Sequence, residues 1–458
     1  MSGAPIRSVV VAGGGITGWA AAAALRRRLP HLDVAILPVA PPEDAFADRI
    51  PATLPSVLAF HGDLGLSEGD AIVRTRAGFR LGTRFVGWTQ RLPDYVHSYG
   101  AHGQAIAGSA FHQHWLRTGD AAFDRYAPAA ALGREGRFLL PGEPPVDGYE
   151  YGLVLDLSAQ TAMLRAFARH LGVREAAGDL RGVRHRADGS VEAIETEAGT
   201  LAADLFVDAT GPAARLRSTM EGARTDWRRW LPCDRLAIET VPATAAPASL
   251  DTVEAAAAGW RYRIEGAVRT TTGACWSSVH DPRPGGIAFA AGSHAEPWAK
   301  NVVASLHLAL SGIDRLVTMM PDRDCAPVET AEFNRQARDE ATRVRDFLLL
   351  HYVTARRPEP FWRDMAVELP DTLAHTLTQF AERGRLPFYE EETFARDSWL
   401  AVLLGQGVRP RRIDPMVEAI DPAPIIAGMA RHREALAAAA ARAPTHAAFL
   451  QALHRQVL

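Results

Sequence analysis

IRSVVVA at Ile6–Ala12 runs straight into GGGITG at Gly13–Gly18, and the reading of these residues decides the fold. The first seven are rich in β-branched residues and nearly uncharged, as a buried strand requires. Trp19 to Leu29 continues as an alanine-rich helix with Arg26, Arg27 and Arg28 in its last turn, where cations suit the negative end of the helix dipole. Asp33 to Val39 reads as the next strand. Strand, glycine turn, helix and strand in that order give a Gly-x-Gly-x-x-Gly spacing its meaning. The glycines at 13, 15 and 18 let the chain turn tightly, let backbone approach a pyrophosphate, and let the helix pack on its strand. The helix N-terminus then faces the phosphates.

An acid that would hold the ribose of NAD is expected at the end of the second strand. Leu37-Pro38-Val39 stands there instead, so the expected cofactor is FAD. Asp204–Gly211, DLFVDATG, is a strand ending in Ala-Thr-Gly, a pattern that resembles the re-entry segment of flavoprotein hydroxylases. Ile287 to Gly292, with Ser293 and a helix from about Asn301 (Val302 to Met319), resembles the third flavin segment of that superfamily.

The rest of the chain bounds the function. At 458 residues it is too long for one ordinary core. A net charge of -3 gives no basic field for nucleic acid. Cys233, Cys275 and Cys325 form no CxxC pair, which argues against a disulfide framework and suits a reducing cytoplasm. No signal peptide is read before the first strand, and no apolar run approaches the roughly 20 residues of a membrane helix. The expected setting is cytoplasmic, with no membrane partner. His112-x-His114, with His97 and His102 upstream, has no carboxylate or cysteine cluster beside it in sequence, so no metal site is expected.

Ala77 to Trp88 reads as a strand pair, Ala159 to Leu171 as an amphipathic helix, and Leu180–Ala187, Val191–Glu197 and Asp204–Asp208 as strands joined by turns. Ile287 to Ala291 reads as a short buried strand, and from Thr330 onward the pattern is helical. The expectation is an α/β fold: a FAD-binding Rossmann-type domain of the flavin hydroxylase superfamily, a sheet-based substrate region and a helical C-terminal part. Residues 1–330 would form the FAD-binding domain with interleaved substrate segments, and 331–458 a helical region covering the substrate side.

Several segments together resemble the flavin-dependent tryptophan halogenases. GGGITGW at Gly13–Trp19 is similar to the family's GGGxxGW opening, and Val96-His97-Ser98-Tyr99-Gly100 is similar to its His-Ser-aromatic-Gly pocket segment. His351-Tyr352, Pro360-Phe361-Trp362-Arg363 and Asp397-Ser398-Trp399…Gly405-Gln406-Gly407 also fit. The resemblance implies FAD used as FADH2 from a separate flavin reductase, with O2, on a small aromatic, indole-containing and either free or peptide-bound. A homodimer is left open. The implied FAD contacts are Gly13, Gly14, Gly15, Ile16, Thr17, Gly18, Ala52, Gly292, Ser293, Val302 and Val303, and the implied substrate contacts are His97 and Tyr99.

The resemblance also implies a lysine and a glutamate that guide hypohalous acid to the indole. Arg80 matches the lysine, Ala299 the glutamate two residues after Glu296-Pro297, and Asn301-Val302 the halide site. A guanidinium stays protonated and cannot form a haloamine readily, and a methyl group is neither acid nor base. The flavin strap Gly-Glu-Ala-Thr-x-Pro reads Ile50-Pro51-Ala52-Thr53-Leu54-Pro55. Lys300 is the sole lysine of the chain, and as a desolvated amine it would replace the one lost at position 80. Arg80 and Lys300 are therefore the candidate catalytic residues. Three activities fit: a halogenase-type enzyme, a halide-independent monooxygenase or oxidase, and a non-catalytic flavin-binding partner of a halogenase.

Overall fold

β1 (Ser8–Ala12) lies inside a six-stranded sheet, and its residues divide cleanly between two faces. Val9 and Val11 are buried against the alanine face of α1 (Ile16–Arg28), while Val10 and Ala12 pack with Leu180, Val191 and Ile194 on the opposite side. A period of two with both faces covered is what a parallel sheet demands. The computed structural model describes residues 3–119, 121–142, 144–222, 224–294, 297–304, 309–365 and 368–457. β1 is flanked by parallel strands, β2 (Asp33–Leu37) on one side and Leu205–Asp208 on the other, and Val302–Ala304 is parallel beyond Leu205–Asp208. Trp298–Ala299 closes this edge as an antiparallel hairpin partner and Arg174–Glu175 closes the other. Helices Leu157–His170 and Ala309–Thr318 flank α1. A three-stranded antiparallel sheet, 180–185, 191–196 and 199–202, covers the other face.

A second, seven-stranded sheet supports the substrate side. β3 (Gly78–Arg80) pairs with Gly152–Val154, whereas β4 (Gly82–Val86) and β5 (Asp94–Ser98) form one edge of the large sheet. Ala77 to Trp88 therefore holds two strands, but they belong to different sheets. β4 runs parallel to Leu250–Ala256, and the remaining neighbours in this sheet are antiparallel. From Ala309 onward the described regular elements are helices. Pro327–Val353 and Arg396–Gly405 close over β5, where Gln406 donates to the hydroxyl of Tyr95 and to the carbonyl of His351.

Two sequence expectations are corrected. The helix expected over Val302 to Met319 begins as a strand, because Val302 and Val303 fill opposite faces of the sheet; the helix itself spans Ala309–Thr318. Ile287 to Ala291 was expected as a buried strand, yet only Ile287–Ala288 is one, at a sheet edge with Ala288 exposed. The pair His112 and His114 lies on a helix, where their ring Nε2 atoms meet the carbonyls of Gly384 and Ile106. Among the described residues no cluster could hold a metal, and no helix is long and apolar enough to cross a membrane.

Candidate functional site

The site begins where β1 ends. Gly13 has φ +147 and a Cβ there would lie 2.3 Å from the carbonyl oxygen of Ala209; one on Gly18 would lie 2.0 Å from that of Gly13. These two glycines let the turn and α1 close onto the sheet. The Gly13 and Gly14 amides donate to the carbonyls of Leu37 and Val39, joining the turn to the end of β2. On the neighbouring strand, buried Asp208 accepts from the amides of Thr210, Leu216 and Arg217, fixing the Asp-Ala-Thr-Gly loop beside the glycines.

The first turn of α1 carries amides that no earlier residue of the helix can satisfy. One of them, on Ile16, donates to the carboxylate of Asp48 at 2.7 Å. A Cβ on Gly15 would fall 2.3 Å from that same carboxylate. Burial pushes the Asp48 carboxyl above its usual range, against the opposing pull of the Ile16 amide and Arg49. Two clefts meet at Asp48. One, about 510 Å³, runs past Gly14, Gly15 and Trp19 to Arg165 and Arg169. The other, about 360 Å³, continues past Pro51 toward Thr271 of the seven-stranded sheet. Sizes of this order suit a cofactor or drug-sized ligand. A helix end already holding an anion and a glycine cradle that a Cβ would fill fit a dinucleotide such as FAD, while Arg165 and Arg169 on the wall are both held by Glu175.

Beyond the second cleft the strap 50–55 is stapled to the strand Gly152–Val154. The Thr53 amide donates to the Leu153 carbonyl at 2.9 Å, its hydroxyl accepts from the Leu153 amide at 2.8 Å, and Ala52 forms a bridge with Val154. Arg80, on the neighbouring strand β3, turns inward with its side chain 11% exposed. Its Nε donates to Asp251, its Nη1 to the Thr53 carbonyl and the Tyr99 hydroxyl, and its Nη2 to Thr83. The guanidinium ties strap, pocket segment and large sheet together, with four of its five N–H donors committed.

Behind Tyr99 lies an aromatic enclosure. His97 is buried, with its ring centroid 6.0 Å from Tyr99, 5.4 Å from Phe347 and 6.4 Å from both His351 and Phe394. Burial above all, and then His351 and Arg80, holds the His97 imidazole well below its usual pKa. Burial lowers His351 to about 4. The Nε2 atoms of His97 and His351 are buried without a hydrogen-bond partner among the described residues. Buried polar atoms in that state mark a place where a ligand can supply the missing bonds.

The structure separates other expected site residues from this line. Lys300 sits in the hairpin turn between Trp298–Ala299 and Val302–Ala304, exposed, with φ 48. Because Ala304 is level with Asp208, Lys300 lies about four residues, or ~13 Å, below the edge that carries the glycine turn. The reading of Lys300 as an amine on the flavin side is corrected: the segment is a strand rather than a helix start, and the strand runs toward the cofactor edge. Val302 and Val303 are sheet core, and Ala299 is in the edge hairpin. The Asn301 amide bonds both the N–H and the carbonyl of Val191, tying the two sheets together. Gly292 and Ser293, read as part of a third flavin segment, pair with Asp226 and Thr225 in a two-stranded ribbon separate from the Rossmann-type sheet. Glu296 lies outside the described residues. Asp48, Asp251 and the role of the Thr53 carbonyl escaped the sequence reading; the one available signal was the missing acid after β2, with Asp48 downstream in the strap region.

These features define a FAD-dependent oxidoreductase built on a Rossmann-type sheet. The chain belongs to the tryptophan halogenase family, whose profile matches residues 8–422. A flavin-dependent halogenase from Brevundimonas sp. BAL3 superposes with a TM-score of 0.90 at 35% identity, over 98% of this chain and 99% of that one. A flavin-dependent halogenase from Xanthomonas campestris gives 0.90 at 31% identity, covering 98% of each chain. Tryptophan 7-halogenase KtzQ from Kutzneria sp. (strain 744) is 26% identical, over 98% of this chain and 99% of its own length.

Proposed function

We propose that this chain takes reduced FAD from a separate flavin reductase and, with O2, oxidises an indole or related aromatic without using halide. The observation that carries this reading is the state of Arg80. The residue matching the family's lysine is a guanidinium held by Asp251, Thr53, Tyr99 and Thr83. The sole lysine stands at the other end of the sheet. No amine then lies between cofactor and aromatic enclosure to guide hypohalous acid.

The amides at the N-terminus of α1 and the glycine turn would hold the pyrophosphate, with the ring toward the strap at Ala52. Reduced FAD, when bound, supplies the electrons for oxygen chemistry. Arg80 holds the strap carbonyl at Thr53 and the Tyr99 hydroxyl in fixed register. His97, kept neutral by burial, presents Nε2 to accept an indole N–H. Phe347, Phe394 and Trp399 wall the ring and exclude water.

The test supplies purified protein with FADH2, isotopically labelled O2 and indole, and follows the products by mass spectrometry. One labelled oxygen atom in the aromatic product supports the reading. Oxygen consumption with an unlabelled aromatic points to an oxidase. Consumption no faster than that of free reduced flavin makes the chain a flavin-binding partner and contradicts the reading.

A further inference from the structure

We propose that Asp48 is an internal competitor of the cofactor: its carboxylate occupies the anion position of α1 and must leave before a dinucleotide phosphate can take it. This rests on the FAD reading above. The carboxylate meets the two requirements of a phosphate mimic. It accepts the Ile16 amide at 2.7 Å, and it lies where only a glycine at position 15 leaves room, 2.3 Å from a Cβ built there. An approaching pyrophosphate needs both that amide and that space. A carboxylate and a diphosphate cannot share them, since like charges a few ångströms apart repel strongly in a partly dehydrated cleft.

The surroundings allow such a displacement. Asp48 closes a single turn of 3-10 helix, Phe46–Asp48, whose three residues are not buried. That turn precedes the strap, which is anchored from Pro51 onward by the amides of Leu153 and Leu155. Asp48 also lines both clefts, so moving its side chain joins the glycine end to the strap end. The carboxylate then acts as a latch that keeps α1 capped in the free protein and weakens FAD binding. A chain fed with reduced flavin by a reductase would load and release its cofactor readily.

The test is fluorescence titration of wild type, Asp48→Asn and Asp48→Ala with FAD, alongside melting of the cofactor-free proteins. Asp48→Ala is expected to bind FAD at least tenfold more tightly and to melt lower than wild type without FAD. Asp48→Asn, which keeps the acceptor and loses the charge, is expected between the two in affinity and guards against a folding defect. Unchanged or weaker binding in both variants, with FAD still bound by wild type, overturns the latch and leaves the cofactor reading standing. Failure of all three proteins to bind FAD overturns both.

Discussion

At the N-terminus of α1 the site is made of backbone: amides, carbonyls and glycines whose missing side chains leave room. Around Arg80 it is made of side chains, drawn from Thr83, Tyr99 and Asp251 and meeting one backbone carbonyl at Thr53. The first kind of site depends on side chains that are absent and fails if a glycine gains a Cβ. The second can keep its shape while its chemistry changes, because a guanidinium recruits several partners that a single ammonium could not bind at once. The family's fold and cofactor end can thus persist while the reaction end departs.

The largest effect that would sharpen this contrast is on stability. Arg80→Ala leaves the buried Asp251 carboxylate without its cation, and losing one partner of a buried pair costs about 3–5 kcal/mol. Denaturant unfolding measures it, and Arg80→Lys should recover only part, since one ammonium cannot span all four acceptors. A loss below about 1 kcal/mol would mean that the clamp is decorative.

Acid should weaken the same end. His351, fully buried and lowered to about 4 by desolvation, binds more protons unfolded than folded between its ordinary value near 6.5 and that lower one. Its contribution is therefore complete above about pH 6.5 and is lost as pH falls toward 4, on the order of 3 kcal/mol. Melting temperature across that window should fall less steeply in His351→Gln; an identical slope would remove His351 as a cause. At the backbone end, Gly18→Ala drives a methyl into the Gly13 carbonyl and should cost about 1–3 kcal/mol and weaken FAD at least tenfold. The smallest effect is expected at Lys300, where Lys300→Arg should leave stability within about 0.5 kcal/mol and flavin-dependent turnover unchanged. Altered turnover would restore that lysine as a candidate.

What the sequence made legible follows the same division. The glycine turn could be read because its spacing answers a backbone requirement, and β1 and β2 because β-branched runs bury on both faces. The third flavin strand was misplaced: the apolar period of Ala309–Thr318 was extended backward over Val302 and Val303, whose β-branched pair belongs to a sheet. Arg80 and His97 could be singled out by their positions in matched segments. The Arg80–Asp251 pair could not, since its partners lie 171 residues apart and no local pattern joins them. Asp48 sits in a proline-containing stretch with no periodicity, so only the folded chain brings it to α1.

The most direct test of the reaction end is incubation of the protein with FADH2, O2, bromide and indole, with brominated products measured by mass spectrometry. With Arg80 committed and no amine beside it, wild type should give no bromoindole above a protein-free control while FADH2 and O2 are consumed. Bromoindole formed in step with the FADH2 consumed would contradict the account and show that halogenation proceeds without the lysine.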